Sequence, residues 1–583
     1  MLFLPALNRG VSVSVALRSR SLAVPRTLLL LVAIALLAAV PHALNMWSYP
    51  AFTIADDEGI YVSQAISWLH TGALAPYTYS YDHAPGGWIQ IAVFYALTGG
   101  PATFGTPIDG ARVLMLLLHV GSALLLFRIA RRLGASMLAA GIVVALFSLS
   151  PLAIFYQRMV LLDNIMVFWL LLSLALALDA RSRAWIAASG IAFGIAVLSK
   201  ETAVLLAPLL LVLAWQTSGW RGVLMWSGAA TLAVLPYPLY ALSRGELLPV
   251  ADPYLPYVMP NDASARPSLI STLLWQLSRP GGGTFSFTND FFYYLRSDWL
   301  WRDVVLLPFG LGTIIVNLYR GVRQRPSLVA AVAGLIPCLY LARGGIIFVY
   351  YIVFALPFLA LNLGLALDAL LRQLEPVRAR LLGASLLVLL LGIYWGRGTL
   401  APLYTQHPDA PGREAAAWIK TYVPASATIV GRDDLLAYLR EPLDGPAYPG
   451  FQVHWKVAND PNVPWSFGYD WSRIDYLVVD PHELSDFEET ANTFALAALG
   501  HAHKVAEWTF VNHAAGPLHW DQRIQIWEAD RLSDPNLAAF FAWNLHGRDQ
   551  LCKARVASCD DIAADSPHPY AEATSRPQTL TEQ

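Results

Sequence analysis

The sequence predicts a polytopic α-helical membrane protein of about eleven transmembrane helices, followed by a C-terminal extracytoplasmic α/β domain. Three observations carry this reading. Of 583 residues, 56% are hydrophobic and only 14% charged, with a mean hydropathy of +0.47, too apolar for a soluble chain of this length. Between residues 27 and 400, apolar runs long enough for helical spans recur between short polar turns. From about Ala401 the chain changes to alternating helix-like and strand-like stretches, the pattern of a small α/β fold. A net charge of -2 and a pI near 6.7 offer no basic face for nucleic acid, so no nucleic-acid partner is expected.

Residues 1–26 are expected as a cytoplasmic segment carrying Arg9, Arg18, Arg20 and Arg26. They resemble a signal-peptide n-region, but the apolar run from Thr27 reaches Trp47 and no small-residue cleavage site follows. An uncleaved first helix is expected. The spans are placed at 27–47, 111–130, 137–156, 163–180, 184–200, 202–217, 222–243, 300–318, 327–343, 346–368 and 381–399. The short apolar segment Gly86 to Gly99, bounded by Pro85 and Gly99-Gly100-Pro101, is expected as a helix on or partly in the membrane.

Arginine placement orients the bundle, because cytoplasmic loops carry the Lys/Arg excess. With the N-terminus inside, every inner loop is basic: Arg128, Arg131 and Arg132; Arg181 and Arg183; Arg221; Arg320, Arg323 and Arg325; Arg372, Arg378 and Arg380. This puts the loop at 48–110, the loop at 244–299 and the tail after 400 on the outer side of a cell membrane. Within the tail, 401–560 is expected to fold, with helices at Arg413 to Tyr422 and Phe487 to Leu499 and strands at Ala427 to Gly431, Tyr476 to Asp480, Val505 to Phe510 and Ile524 to Glu528. Residues 561–583, rich in Ala, Asp, Ser and Pro, are expected to be disordered. A disulfide between Cys552 and Cys559 stays open, since two exported thiols alone do not specify a bridge.

The outer loop holds the acidic triplet Asp56-Asp57-Glu58, opening an amphipathic stretch from Gly59 to His70, and further on Tyr81-Asp82-His83-Ala84-Pro85. One carboxylate suffices to cap a helix. Three in a row beside a bilayer exceed that need and point to chemistry. Arg158 and Asp163 flank Met159 to Leu162 at another outer turn, as interfacial anchors, as a local salt bridge worth little if exposed, or with Asp163 completing a two-carboxylate site with the triplet. Lys200-Glu201 and Arg343 occupy further outer turns, with Tyr350 and Tyr351 in the helix that follows. A polar turn is the plain reading of Lys200-Glu201, yet the lysine also offers a point charge for a phosphate. Acids and cations together suit a phosphorylated substrate with a hydroxyl partner. His501, His503, His513 and His519 lack ligand-like spacing, no nucleotide-binding glycine motif occurs, and Gly281-Gly282-Gly283 reads as a hinge.

In order along the chain, these elements resemble the polytopic glycosyltransferases of the GT-C class, especially the protein O-mannosyltransferases and the lipid A aminoarabinose transferase, over residues 45–370. Asp57-Glu58 resembles the family's Asp-Glu of the first outer loop, and Asp82-His83-Ala84-Pro85 its acidic-basic-Pro-Pro element. Arg158 to Asp163 is similar to the Arg and Asp before the fourth helix, Leu198-Ser199-Lys200 to a Thr-Lys-Gly turn, and Tyr350 to Pro357 to a Tyr-rich helix ending in Leu-Pro. His83, Ala84, Glu201 and Ile60 depart from the pattern, so the donor sugar does not carry over.

The resemblance implies an inverting enzyme that moves a sugar from a polyprenyl-phosphate carrier to a hydroxyl of a glycan, lipid or protein acceptor at the outer face. It implies Asp57 as general base with Asp163 in support, His83, Lys200, Arg343 and Tyr350 at the donor phosphate, and Asp56, Glu58, Asp82 and Arg158 around them. No metal is expected, although Asp56, Glu58 and Asp82 would be the oxygen ligands of a Mg²⁺ or Mn²⁺ ion if one were used. Three rival readings remain: an oligosaccharide ligase of the same class, an ion-coupled transporter, and a membrane scaffold whose outer tail binds partners. The transporter reading calls for midplane ionisable residues and paired repeats, which the sequence lacks.

Overall fold

The computed structural model describes residues 26–51, 57–72, 81, 83–248, 268–278, 286–440, 447–459, 463, 467, 470–489, 492–512 and 520–530. Asp56, Asp82, Gly281-Gly282-Gly283, His513, His519, Cys552, Cys559 and both ends of the chain lie outside these residues.

Each apolar run falls on a helix, as a multi-pass membrane protein requires. Among the described residues, four helices are long and apolar enough to cross a bilayer alone: Pro107–Arg132, Glu201–Ser243, Val349–Leu371 and Pro376–Gly396. Two bent pairs raise this to six, and Thr27–Ala43, Gly86–Thr98, Leu162–Leu178, Arg183–Ser199 and Arg325–Leu341 are apolar but shorter. The runs at 202–217 and 222–243 are two helices separated by a kink, with non-helical backbone at Ser218 and at Gly219, where φ is 56°. Glycine tolerates that conformation.

The bends have local causes. Met137–Leu149 and Pro151–Arg158 meet at 60°, where Ser150 is extended, caps the second helix through Ala153 N (3.2 Å) and precedes Pro151. Proline is suited to a first turn and ends a preceding helix. Asp290–Arg302 and Leu306–Gly321 meet at 112°. There the buried Asp303 carboxylate accepts the N–H groups of Val305 (2.9 Å) and Leu306 (2.7 Å) and the Tyr394 hydroxyl (2.7 Å), tying the Pro376–Gly396 helix to the bend.

Acidic and basic ends separate along the bundle axis. The Pro107–Arg132 helix has Asp109 in its first turn and Arg131 and Arg132 in its last. Leu162–Leu178 has Asp163 in its first turn and is followed by Asp179, which pairs with Arg128 and Arg132. Since these two helices pack together, Asp109 and Asp163 lie at the end opposite the basic loop.

The C-terminal region forms a five-stranded sheet of order β2-β1-β3-β5-β4. Its strands are β1 Ile429–Gly431, β2 Phe451–Val453, β3 Tyr476–Val479, β4 Ala502–Asn512 and β5 Trp520–Ala529. β1 runs parallel to β2 and β3, and β5 pairs antiparallel with β3 and β4. β2 was not foreseen. The helix expected from Phe487 to Leu499 is two, Pro481–Glu489 and Thr493–Gly500, because the Asn492 side chain caps the second through Ala495 N (3.3 Å).

The sheet region is fused to the bundle. One hydrophobic cluster contains Tyr61, Val62 and Ile66 of the Asp57–Thr71 helix together with Ile429, Leu436, Phe451 and Ile524. Arg413, in the helix Ala410–Tyr422, clamps Asp109 with two bonds of 2.6 and 2.7 Å. Planar bidentate pairs of this kind fix orientation as well as distance.

Candidate active site

Asp57 is the first residue of the Asp57–Thr71 helix. The Tyr61 hydroxyl, one turn on, donates to its Oδ2 at 3.0 Å, an i, i+4 contact across one helix face. The Tyr350 hydroxyl donates to the same oxygen. Val349–Phe354 is a 3₁₀ turn, which brings both Tyr350 and Tyr351 into the site.

Lys200 lies buried beside it. Its Nζ donates to Asp163 Oδ2 at 2.6 Å, and the ammonium stands 4.3 Å from the Tyr351 ring centroid and 5.5 Å from that of Tyr350. Both side chains of the pair are 2–3% exposed, so the charges are matched where hydration is lost. Asp163 therefore partners Lys200, whereas the sequence had suggested it as a support for Asp57.

His83 and Ala84 attach to the following residue. Glu201 accepts the Ala84 N–H and stands 3.2 Å from His83 Nδ1. The Tyr61 ring meets the His83 imidazole edge-on, centroids 6.1 Å apart. At the near end of this loop the Tyr81 hydroxyl donates to Glu246 at 2.5 Å. Burial, and then the adjoining carboxylate, push the Tyr81 hydroxyl far above its usual range, so it stays a donor.

Three expected site residues are structural in their contacts. Glu58 is fully buried, takes Arg112 Nε at 3.1 Å and Nη2 at 2.8 Å, and accepts Val160 N at 2.8 Å. A guanidinium already on both oxygens leaves Glu58 unfit as a ligand of a second cation, so a divalent ion is not supported there. Arg158 does not pair with Asp163. It donates to the carbonyls of Pro41, His42, Leu44, Tyr49 and Leu403, gathering the C-terminal end of the first helix, the segment after it and the start of the tail. Arg343 donates to the carbonyls of Tyr340 and Ile346 and lies 4.0 Å over the Tyr340 ring. The Tyr340 ring in turn stacks on Tyr351 beside Lys200, centroids 6.3 Å apart.

Sequence reasoning missed Glu201 and Arg112 as site partners and the aromatic cradle of Tyr61 and Tyr351. The i, i+4 spacing of Asp57 and Tyr61 was a usable signal. Arg112 inside an apolar run was another, since a buried guanidinium needs acceptors, either a carboxylate or backbone carbonyls.

The amphipathic face expected on the stretch from Gly59 is also corrected. Residues 61–67 are buried all round because the sheet region covers the second side. A Cβ on Gly59 would sit 2.2 Å from the Asp433 carbonyl oxygen and 2.4 Å from Asp434 Cα. Gly59→Ala is expected to cost about 1–3 kcal/mol through overpacking and to displace Asp57; a lowered melting temperature with lowered activity checks this.

A helical bundle with a sheet region seated over an acid-and-lysine cluster at one end is the GT-C fold, the architecture of polytopic membrane glycosyltransferases. ArnT from Cupriavidus metallidurans has this fold. Its apo structure is 17% identical, with a TM-score of 0.54, covering 86% of this chain and 97% of that one. Its structure bound to undecaprenyl phosphate is 18% identical, with a TM-score of 0.52, covering 87% and 99%. The oligosaccharyltransferase of Archaeoglobus fulgidus is 15% identical at a TM-score of 0.49, covering 82% and 72%. The family described as dolichyl-phosphate-mannose-protein mannosyltransferase matches residues 58–242. A search of curated protein sequences finds no match.

Proposed function

We propose that the protein is an inverting glycosyltransferase that moves a sugar from a polyprenyl-phosphate donor to an acceptor hydroxyl at the outer face of the membrane. The observation that carries this is the Asp57 carboxylate, held by two tyrosine hydroxyls beside the buried Lys200–Asp163 pair. The matched family and the ArnT fold, one structure of which holds undecaprenyl phosphate, support the donor class. The basic loops at the far end of the bundle support a cytoplasmic N-terminus and an extracytoplasmic sheet region.

In this reading Asp57 takes the proton of the acceptor hydroxyl. The oxygen attacks the anomeric carbon from the face opposite the phosphate, the C–O bond to phosphate breaks, and its electron pair leaves with the polyprenyl phosphate. A phosphate monoester has a second pKa of about 6, so it departs without a general acid and needs cations around it. Lys200 supplies the nearest, oriented by Asp163. His83 supplies a second, and Arg343 acts from behind the Tyr340 and Tyr351 rings. Tyr350 links the base to the phosphate side. Asp56 and Asp82 are assigned to the acidic surroundings, and no step passes through a metal.

Incubating the purified protein with a panel of labelled polyprenyl-phosphate sugars and an acceptor extract tests this proposal. One donor should turn over. Lys200→Ala should then lower kcat/KM for that donor by about 10²–10³-fold, the loss typical of one electrostatic donor, and Lys200→Arg should retain the fold as judged by its melting temperature.

A further inference from the structure

Glu201 follows Lys200 directly and is one-third exposed. Lys200 has an extended backbone, φ −158° and ψ 131°, so the two successive side chains diverge. Lys200 goes to Asp163 and Glu201 to the His83 loop. The helix after that loop is seated tightly on the same turn. A Cβ on Gly86 would meet the Leu198 carbonyl oxygen at 2.7 Å, and Gln90 Nε2 donates to Ser199 Oγ at 3.0 Å. The loop and the lysine turn therefore keep one register.

Building on the function proposed above, we propose that Glu201 is a positioning residue that sets the His83 imidazole for the donor phosphate. Holding the loop requires only the bond from Ala84 N–H to Oε1. The second oxygen, 3.2 Å from His83 Nδ1, adds what a loop clamp does not need. An ionised carboxylate only accepts hydrogen bonds, so it takes the Nδ1–H, favours the doubly protonated imidazolium and fixes the ring rotamer. The group that meets a phosphate oxygen is then Nε2–H, a donor in that charged form. The opposing groups are arranged to keep the ring in place, with Tyr61 edge-on to it and the Tyr237 hydroxyl donating to the His83 carbonyl at 3.4 Å. Glu201 thus acts through His83, and Asp163 through Lys200, giving each cation its own carboxylate.

Glu201→Gln tests this in the full-length protein, assayed with the undecaprenyl-phosphate sugar that the wild type turns over. The glutamine oxygen still accepts from Ala84 N–H, but its NH₂ cannot accept from Nδ1. The expected result is a donor KM raised about tenfold, with kcat and melting temperature unchanged, the size of one charge-assisted hydrogen bond. On a His83→Gln background the same change should add nothing. An unchanged KM, a fall in kcat alone, or full additivity with His83→Gln would each overturn the role of Glu201. Absence of any wild-type turnover would overturn the underlying function and this proposal with it, which keeps the two failures apart.

Discussion

Asp57→Asn is expected to lose about 10²–10⁴-fold in sugar transfer, the contribution of a positioned general base, while inserting and melting like the wild type. The side-chain amide has the shape of the carboxylate. Its oxygen can still accept from Tyr61 and Tyr350, which donate to Asp57 in the native site, so the helix start keeps its contacts. It cannot take a proton. Transfer rates measured at saturating donor, with a thermal melt of the same preparation, check both halves of the expectation. Full activity in Asp57→Asn would remove the base from Asp57 even if the enzyme class held.

Arg112→Met is expected to be the most destabilising of the substitutions considered, at about 3–5 kcal/mol, because breaking a buried ion pair strands the other charge. Arg112 and Glu58 are both fully buried. Arg112 Nη1 also holds the carbonyls of Met46 at 3.0 Å and Pro50 at 2.9 Å, so the change loosens the segment before the Asp57 helix. Glu58→Met added to Arg112→Met should recover much of the stability, since replacing both charges by apolar groups removes the stranded carboxylate. Melting temperatures of the two single variants and the double variant give the comparison. A double variant no better than Arg112→Met would mean that the carbonyl contacts, not the ion pair, carry the effect.

The sequence was informative where one physical requirement sufficed. Apolar length placed the helices, the arginine loops distinguished the two ends of the bundle, and the break in composition near Ala401 located the sheet. That Asp57 and Lys200 stand at the same end of the bundle was legible because acids and cations at helix ends stand out against an apolar chain. Pairing was not legible. Asp163 is five residues from Arg158, yet it bonds Lys200, 37 positions away, and Arg158 binds carbonyls from the first helix and the tail. Glu201 read as turn polarity because its partners are His83 and Ala84, more than a hundred residues upstream. The burial of residues 61–67 on every side was hidden for a similar reason. The second face of their helix is covered by residues such as Asp433 and Leu436 from the far end of the chain, and periodicity within fifteen residues cannot report that.

The central claim is direct displacement of polyprenyl phosphate by an acceptor hydroxyl at Asp57. The measurement closest to it is the anomeric configuration of the product made by purified wild-type protein from a labelled polyprenyl-phosphate sugar of known configuration, with Asp57→Asn as the blank. Inverted product, absent in the blank, is the predicted result. Product of retained configuration, or no release from any donor together with uptake of labelled solute into proteoliposomes, would contradict it.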